Sequence, residues 1–145
     1  MVLNFLSFSG YLLMAGGAVA LVLEHTFWAS HIGFFIIQIS AIILMIWARL
    51  VFGKRSFHLT AKTTKGKLIT NGPYKIIRHP IYAAICLFVL ASLGNNFSWQ
   101  TAFWVALVVL GSLIRIFCEE HILLDQYPDY RAYARKTKRL IPFLF

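Results

Sequence analysis

From Pro80 to Ile114 the chain runs 35 residues without a Lys, Arg, Asp or Glu. A bilayer-spanning helix needs about 20 apolar residues, so this run is too long for one span. Gly94-Asn95-Asn96, near its middle, is a strong turn signal. It divides the run into helices near 80–94 and 97–117. Two more runs of this kind precede it. Residues 2–23 carry no charge, and Ile32–Val51 is interrupted only by Gln38, Ser40 and Arg49. The first run could be mistaken for a secretory signal, but it lacks a basic leading region, and 22 residues exceed a usual signal core. A true first span is favoured. The expected fold is all-α, a polytopic membrane protein with about four transmembrane helices.

Composition agrees. Apolar residues make up 59% and charged residues 13%, against about 45–50% and about 25% in soluble domains. A globule of 145 residues cannot hide that much apolar surface, so some of it must face lipid. The net charge of +9 would suggest nucleic acid in a soluble chain, but its distribution argues against that. All 14 Lys and Arg fall within Arg49–Arg78 and Arg115–Arg139, flanking the apolar runs. With four spans both basic segments lie on one side, and the opposite connections, 24–31 and 94–98, have none. The positive-inside rule then puts both termini in the cytoplasm.

The chain reads as one domain of 145 residues: an N-terminal helix pair (1–52), a cytoplasmic loop (53–79), a helical hairpin (80–117) and an interfacial tail (118–145). Gly16 and Ala20, at i and i+4, could admit a close helix neighbour. Gln38, inside a span, should bond to another helix, and Arg49 can snorkel to the headgroups. The helix from Pro80 is short and could be lengthened by Ile76-Ile77. In the tail, Pro128 should start a new helical turn. Arg131, Arg135, Lys136, Lys138 and Arg139 should face water or anionic headgroups. Cys86 and Cys118 give no disulfide framework. Cys86 reads as a packing residue, and Cys118, among charges, could be a reactive thiol. His58, His79 and His121 lack metal-ligand spacing, so no metal is expected.

Two clusters could carry chemistry. In Asn71-Gly72-Pro73-Tyr74-Lys75-Ile76-Ile77-Arg78-His79-Pro80-Ile81-Tyr82, Pro80 suits a first helical turn. His79 then falls at the N-cap, beside free backbone donors able to hold an anion. A headgroup-level anchor explains the same residues. In Arg115-Ile116-Phe117-Cys118-Glu119-Glu120, Arg115 and Glu119 share a helix face while Glu120 points elsewhere. The Arg-before-Glu order favours separate roles over a mutual salt bridge. Carboxylates at a bilayer edge need a partner, either a cationic ligand or nearby Lys and Arg. A hairpin of the last two spans would bring both clusters together.

Gly72-Pro73-Tyr74, Arg78-His79-Pro80-Ile81-Tyr82, Arg115 with Glu119-Glu120 and Leu123, Tyr130 with Tyr133, and Arg139 with Ile141-Pro142-Phe143 resemble, in that order, the isoprenylcysteine carboxyl methyltransferases and the related phospholipid methyltransferases. The likeness covers roughly residues 66–145. It implies a membrane enzyme using S-adenosylmethionine, held at the cytoplasmic helix ends beneath the C-terminal segment. Carried across, Leu68, Ile69, Tyr74, His79, Pro80, Ile81, Tyr82 and Glu119 would line the cofactor pocket, and Arg115 would orient the acceptor. Implied partners are membrane lipid and a hydrophobic methyl acceptor. The chain departs from the family at Gly66, where a His is common, and His58 could substitute. Its N-terminal half is short, so a second copy could complete an acceptor pocket. Two other readings stay open. One is a small four-helix transporter or assembly subunit without catalysis. The other is an enzyme like the NADPH-dependent sterol reductases, which share the Arg-His-Pro-x-Tyr region but are much larger.

Overall fold

A computed structural model describes residues 2–53 and 68–141. The segment holding His58, Gly66 and Lys67, and the terminal Pro142-Phe143, lie outside the described residues. Among the described residues five α-helices follow one another: α1 (Val2–Leu23), α2 (Ile32–Phe52), α3 (Pro80–Asn95), α4 (Trp99–Gln126) and α5 (Tyr130–Lys136). A 3-10 turn, Gly72–Lys75, precedes α3. The all-α membrane fold stands. Among the described residues α1, α2 and α4 are long and apolar enough to span a bilayer, and α3 is a shorter apolar helix.

The helices alternate up and down and pack as two close pairs, α1 with α4 and α2 with α3, while α3 and α4 touch over a shorter stretch. Small residues set the first pairing. A Cβ on Gly10 would stand 2.9 Å from the Gly111 carbonyl, and one on Gly17 would stand 2.8 Å from that of Trp104. The close approach therefore runs along Gly10, Gly17 and Gly111. Gly16, the expected contact, meets nothing within 4 Å, because it lies a helical step off that face. Leu21, Val89, Val105 and Val108 form the central apolar core. Much of the remaining apolar surface of α1 and α2 is exposed, as lipid contact requires.

Gln38 behaves as expected of a buried amide. Its Nε2 donates to the Phe27 carbonyl (2.9 Å) and to Ser92 Oγ on α3 (3.0 Å). Its Oε1 accepts from the Ala29 amide (2.9 Å). The α1–α2 connection is thus pinned into the opposite end of the bundle. There Glu24 also accepts from Trp104 Nε1 (2.6 Å).

Three expectations about the other end need correction. The last long helix does not stop near 117. α4 has 28 residues, about 42 Å at the usual rise, and carries Cys118–Gln126 as regular helix. Glu119 lies some 30 Å along it from Trp99, about one hydrocarbon thickness. Nor do Ile76 and Ile77 lengthen α3. Pro80 sits in its first turn, and Ile77 forms a parallel β-bridge with Lys138. Finally, the tail is more than an interfacial helix. Pro128 lies in the turn between α4 and α5. Beyond α5, residues 137–139 run alongside 76–79, with Arg78 N donating to Lys138 O (2.7 Å) and His79 N to Arg139 O (3.1 Å).

Candidate functional site

Gly72 takes φ +58°, a left-handed conformation that glycine adopts without strain. A Cβ there would also collide with Val51. This turn lays Pro73 and Tyr74 against the end of α2, with the Phe52 and Tyr74 rings 5.5 Å apart. Tyr74 is buried, and the Tyr133 hydroxyl donates to its carbonyl (2.6 Å). The chain then enters α3 through Pro80. His79 becomes the N-cap residue, and Tyr82 lies half a turn inside.

At this end α3 faces α4. The Tyr82 hydroxyl donates to Glu119 Oε1 and accepts from Arg115 Nε (2.7 Å). Arg115 Nη2 lies 3.4 Å from the same Glu119 oxygen. The i, i+4 pair does meet, contrary to the separate roles expected, because Tyr82 gives both partners a shared hinge. Arg115 also donates to the Ser7 carbonyl of α1 (3.4 Å). Three helices therefore converge on one guanidinium that is only 6% exposed. In the sequence reading Arg115 would orient the acceptor; the structure shows it buried and bonded to Tyr82, Glu119 and the Ser7 carbonyl.

His79 stands between two carboxylates, its Nδ1 3.8 Å from Glu119 Oε2 and its Nε2 3.5 Å from Glu120 Oε1. The two clusters thus converge, as expected. Its backbone is less free than the N-cap reading implied, since the His79 amide is taken by Arg139 O. Pro80 is buried and Ile81 half-buried in the first turn of α3; Leu68 and Ile69 are half-buried in the segment leading to the 3-10 turn.

Sequence reasoning missed a second layer. Glu120 accepts from Arg78 Nε (3.0 Å) and Arg139 Nε (2.9 Å), and Arg78 Nη1 donates to the carbonyls of Ala134 (2.9 Å) and Thr137. Arg139, expected to face water or anionic headgroups, stays 44% exposed but also clamps the tail onto α4. Glu120 has the same reach as Glu119 but is rotated toward the tail. The signal available was charge: a carboxylate beside an apolar span, with Arg78 and Arg139 near in the family-like pattern.

The hydroxyls of Tyr74 and Tyr130 and His79 Nε2 are buried without an aligned hydrogen bond. Burial, then the Glu119 charge, holds the Tyr74 hydroxyl well above the usual phenol range. Burial, then Glu120, does the same for Tyr130. Burial also pushes Tyr133 up to about 12. Cys118 is fully buried, which removes the case for a reactive thiol. Among the described residues no group of three His, Cys, Asp or Glu side chains converges as a metal site would require.

Two curated proteins share part of this sequence. One is the nickel-cobalt-cadmium resistance protein NccN of Alcaligenes xylosoxydans xylosoxydans, 30% identical over 82 residues, which cover 54% of this chain and 37% of that protein. The other is the cobalt-zinc-cadmium resistance protein CzcN of Cupriavidus metallidurans, 28% identical over 79 residues, 53% of this chain and 36% of that protein. The alignments thus span little more than a third of either relative. No solved structure matches the chain. Residues 28–130 match the phospholipid methyltransferase family, and that stretch holds α2, α3, α4 and every side chain of the His79–Tyr82–Arg115–Glu119 cluster. The protein is therefore a member of the phospholipid methyltransferase family.

Proposed function

We propose that this protein is an S-adenosylmethionine-dependent methyltransferase acting at the cytoplasmic membrane face on a lipid-like acceptor. One observation carries the reading. His79, Tyr82, Arg115 and Glu119 meet in a single polar cluster at the basic end of the bundle, and the Tyr74 hydroxyl stays buried beside it without an aligned partner. A buried polar atom without a partner costs about 1–3 kcal/mol. A zwitterionic ligand rich in hydroxyl and amino groups would relieve that cost, so the residues fit the cofactor.

Bound there, S-adenosylmethionine supplies a methyl group on a sulfonium cation. The chain's own task is alignment and exclusion of water. Glu119, whose side chain keeps 28% exposure, would accept hydrogen bonds from the cofactor's amino or ribose groups. The faces of Tyr74 and Tyr82 would favour a cation. His79 would hold a polar end, and Leu68, Ile69, Pro80 and Ile81 would supply apolar walls. Arg115 would act through Tyr82 and Glu119, setting the direction from which an acceptor approaches. An acceptor dissolved in the bilayer could reach this cluster between helices. The basic segments at this end support a cytoplasmic location for it, with both termini on that side.

The test is transfer of labelled methyl groups into membrane extract by purified protein, with calorimetric titration of the cofactor. Glu119→Ala should weaken cofactor binding. Arg115→Ala should lose more turnover than cofactor affinity. If both variants bind and react like wild type, the assignment of the site is overturned. The names of the two relatives favour a second reading, an accessory or assembly subunit in metal resistance without catalysis. Absence of any S-adenosylmethionine binding would favour that reading, whereas binding of NADPH would point to reductase chemistry.

A further inference from the structure

We propose that Tyr11 of α1 is an acceptor-contacting residue that forms the lipid-facing sill of the site, so that α1, which lies outside the family match, completes the binding surface. The inference rests on the methyltransferase reading for its chemistry, and adds a residue of α1 to the acceptor's contacts.

Tyr11 is 38% exposed on a helix whose outer surface faces lipid, with Phe8 and Leu12 exposed beside it. The Arg115 guanidinium lies 6.0 Å from the Tyr11 ring centroid and 6.0 Å from that of Tyr82. The buried cation is bracketed by one ring from α1 and one from α3, at the outer edge of cation–π range. Arg115 thus links Tyr11 to Tyr82 and Glu119, with which it is bonded. α1 reaches this position only because Gly10 and Gly111 let the helices touch; a Cβ on Gly10 would also stand 3.1 Å from Arg115 Cγ. An acyl or prenyl chain can lie against the exposed edge of Tyr11 while its headgroup passes toward Glu119. A soluble headgroup has no use for that ring.

Benzophenone-alanine placed at position 11, or at Val19 as a control, tests this. Val19 is 58% exposed on the same helix and about 12 Å further along it. Tritiated phosphatidylethanolamine is diluted into phosphatidylcholine vesicles carrying the protein. Photolabelling at position 11 should saturate with mole fraction, whereas labelling at 19 should rise linearly. Linear labelling at both positions overturns the proposal, whatever the activity. In turnover assays Tyr11→Ala should raise KM for phosphatidylethanolamine about tenfold, which corresponds to about 1.4 kcal/mol, with cofactor affinity unchanged. Tyr11→Phe should behave like wild type, because the ring and not the hydroxyl is used. Glycerophosphoethanolamine, the same headgroup without chains, should be a poor acceptor and insensitive to Tyr11→Ala. An unchanged KM for the long-chain lipid, or an equal loss of cofactor affinity, overturns the assignment. Saturable labelling without any methyl transfer would instead sink the methyltransferase reading and leave Tyr11 as a lipid-binding residue.

Discussion

Glu120 should matter far more to this fold than Arg139, and the structure allows the difference to be worked out. Its carboxylate is 11% exposed and faces Arg78 Nε at 3.0 Å, Arg139 Nη2 at 2.8 Å and His79 Nε2 at 3.5 Å. Arg78 is 10% exposed and Arg139 is 44% exposed. Glu120→Ala leaves Arg78 buried with the carbonyls of Ala134 and Thr137, and no carboxylate it now bonds, to offset its charge. Breaking a buried pair from one side costs about 3–5 kcal/mol, and the remaining carbonyls place this case near about 3. Arg139→Ala removes a half-exposed partner, and such pairs contribute less than about 1 kcal/mol. At about 2–4 °C per kcal/mol for a chain of this size, Glu120→Ala should lower the unfolding midpoint in detergent by about 6–12 °C. Arg139→Ala should lower it by no more than about 2–4 °C. Tryptophan fluorescence during heating reads both. Trypsin cleavage at Arg131, Arg135, Lys136 and Lys138 should also speed up in Glu120→Ala, because the tail loses its anchor. Equal midpoint losses in the two variants would refute the reasoning.

Gly10→Ala should cost about 1–3 kcal/mol by forcing α1 from α4, whereas Gly16→Ala should be neutral or stabilising by up to about 1 kcal/mol; thermal midpoints of the pair check this. Gln38→Leu leaves the Ala29 amide without its acceptor and should cost about 1–3 kcal/mol, read the same way. Tyr133 titrates near 12, and Tyr74 and Tyr130 are also raised, so these three should stay protonated at pH 11 in an ultraviolet titration of the folded protein. Their unfolded forms ionise near about 10. Protons are thus lost from the unfolded state first, and stability should fall as pH climbs above about 10; a midpoint that holds constant between pH 9 and 11.5 would contradict the burial of these phenols.

The hydrophobic runs made the spans legible, because lipid demands uninterrupted apolar helix and charge marks its edges. α1 and α2 start and stop within a residue or two of the expected limits. The convergence of His79 with Glu119 was legible for the same reason: a hairpin turning at 94–98 must return residue 119 to the level of residue 79. What periodicity could not show was depth and rotation. α4 continues to Gln126 because Cys118–Gln126 holds no helix breaker, so the charges there were mistaken for a boundary. Gly16 and Gly17 are indistinguishable as letters, and only the partner helix decides which one faces it. Glu120 and Arg139 find each other through the tail's path, a long-range pairing that no local spacing encodes. The partners of Arg115 were not all legible, since one of them, the Ser7 carbonyl, comes more than a hundred residues earlier in the chain.

Where the polar bonds fall explains why the site lies at this end. At the opposite end Gln38–Ser92 joins α2 to α3, and Glu24–Trp104 joins α1 to α4, so these bonds lie within the two tight pairs. Bonds across the looser α3–α4 seam gather at the basic end: Tyr82 with Glu119 and Arg115, and just ahead of α3, Arg78 and His79 with Glu119 and Glu120. Apolar packing holds each pair and, through Val89 against Val105 and Val108, also the middle of the seam between them; at the basic end hydrogen bonds and charge are added. Such bonds depend steeply on distance and partner, so a ligand entering the seam need only exchange its own polar groups for those of Tyr82 or His79 to alter the junction. The same substitutions that weaken ligand binding should then loosen α3 from α4. Loss of affinity without loss of seam stability in Glu119→Ala would mean that the two roles are separable after all.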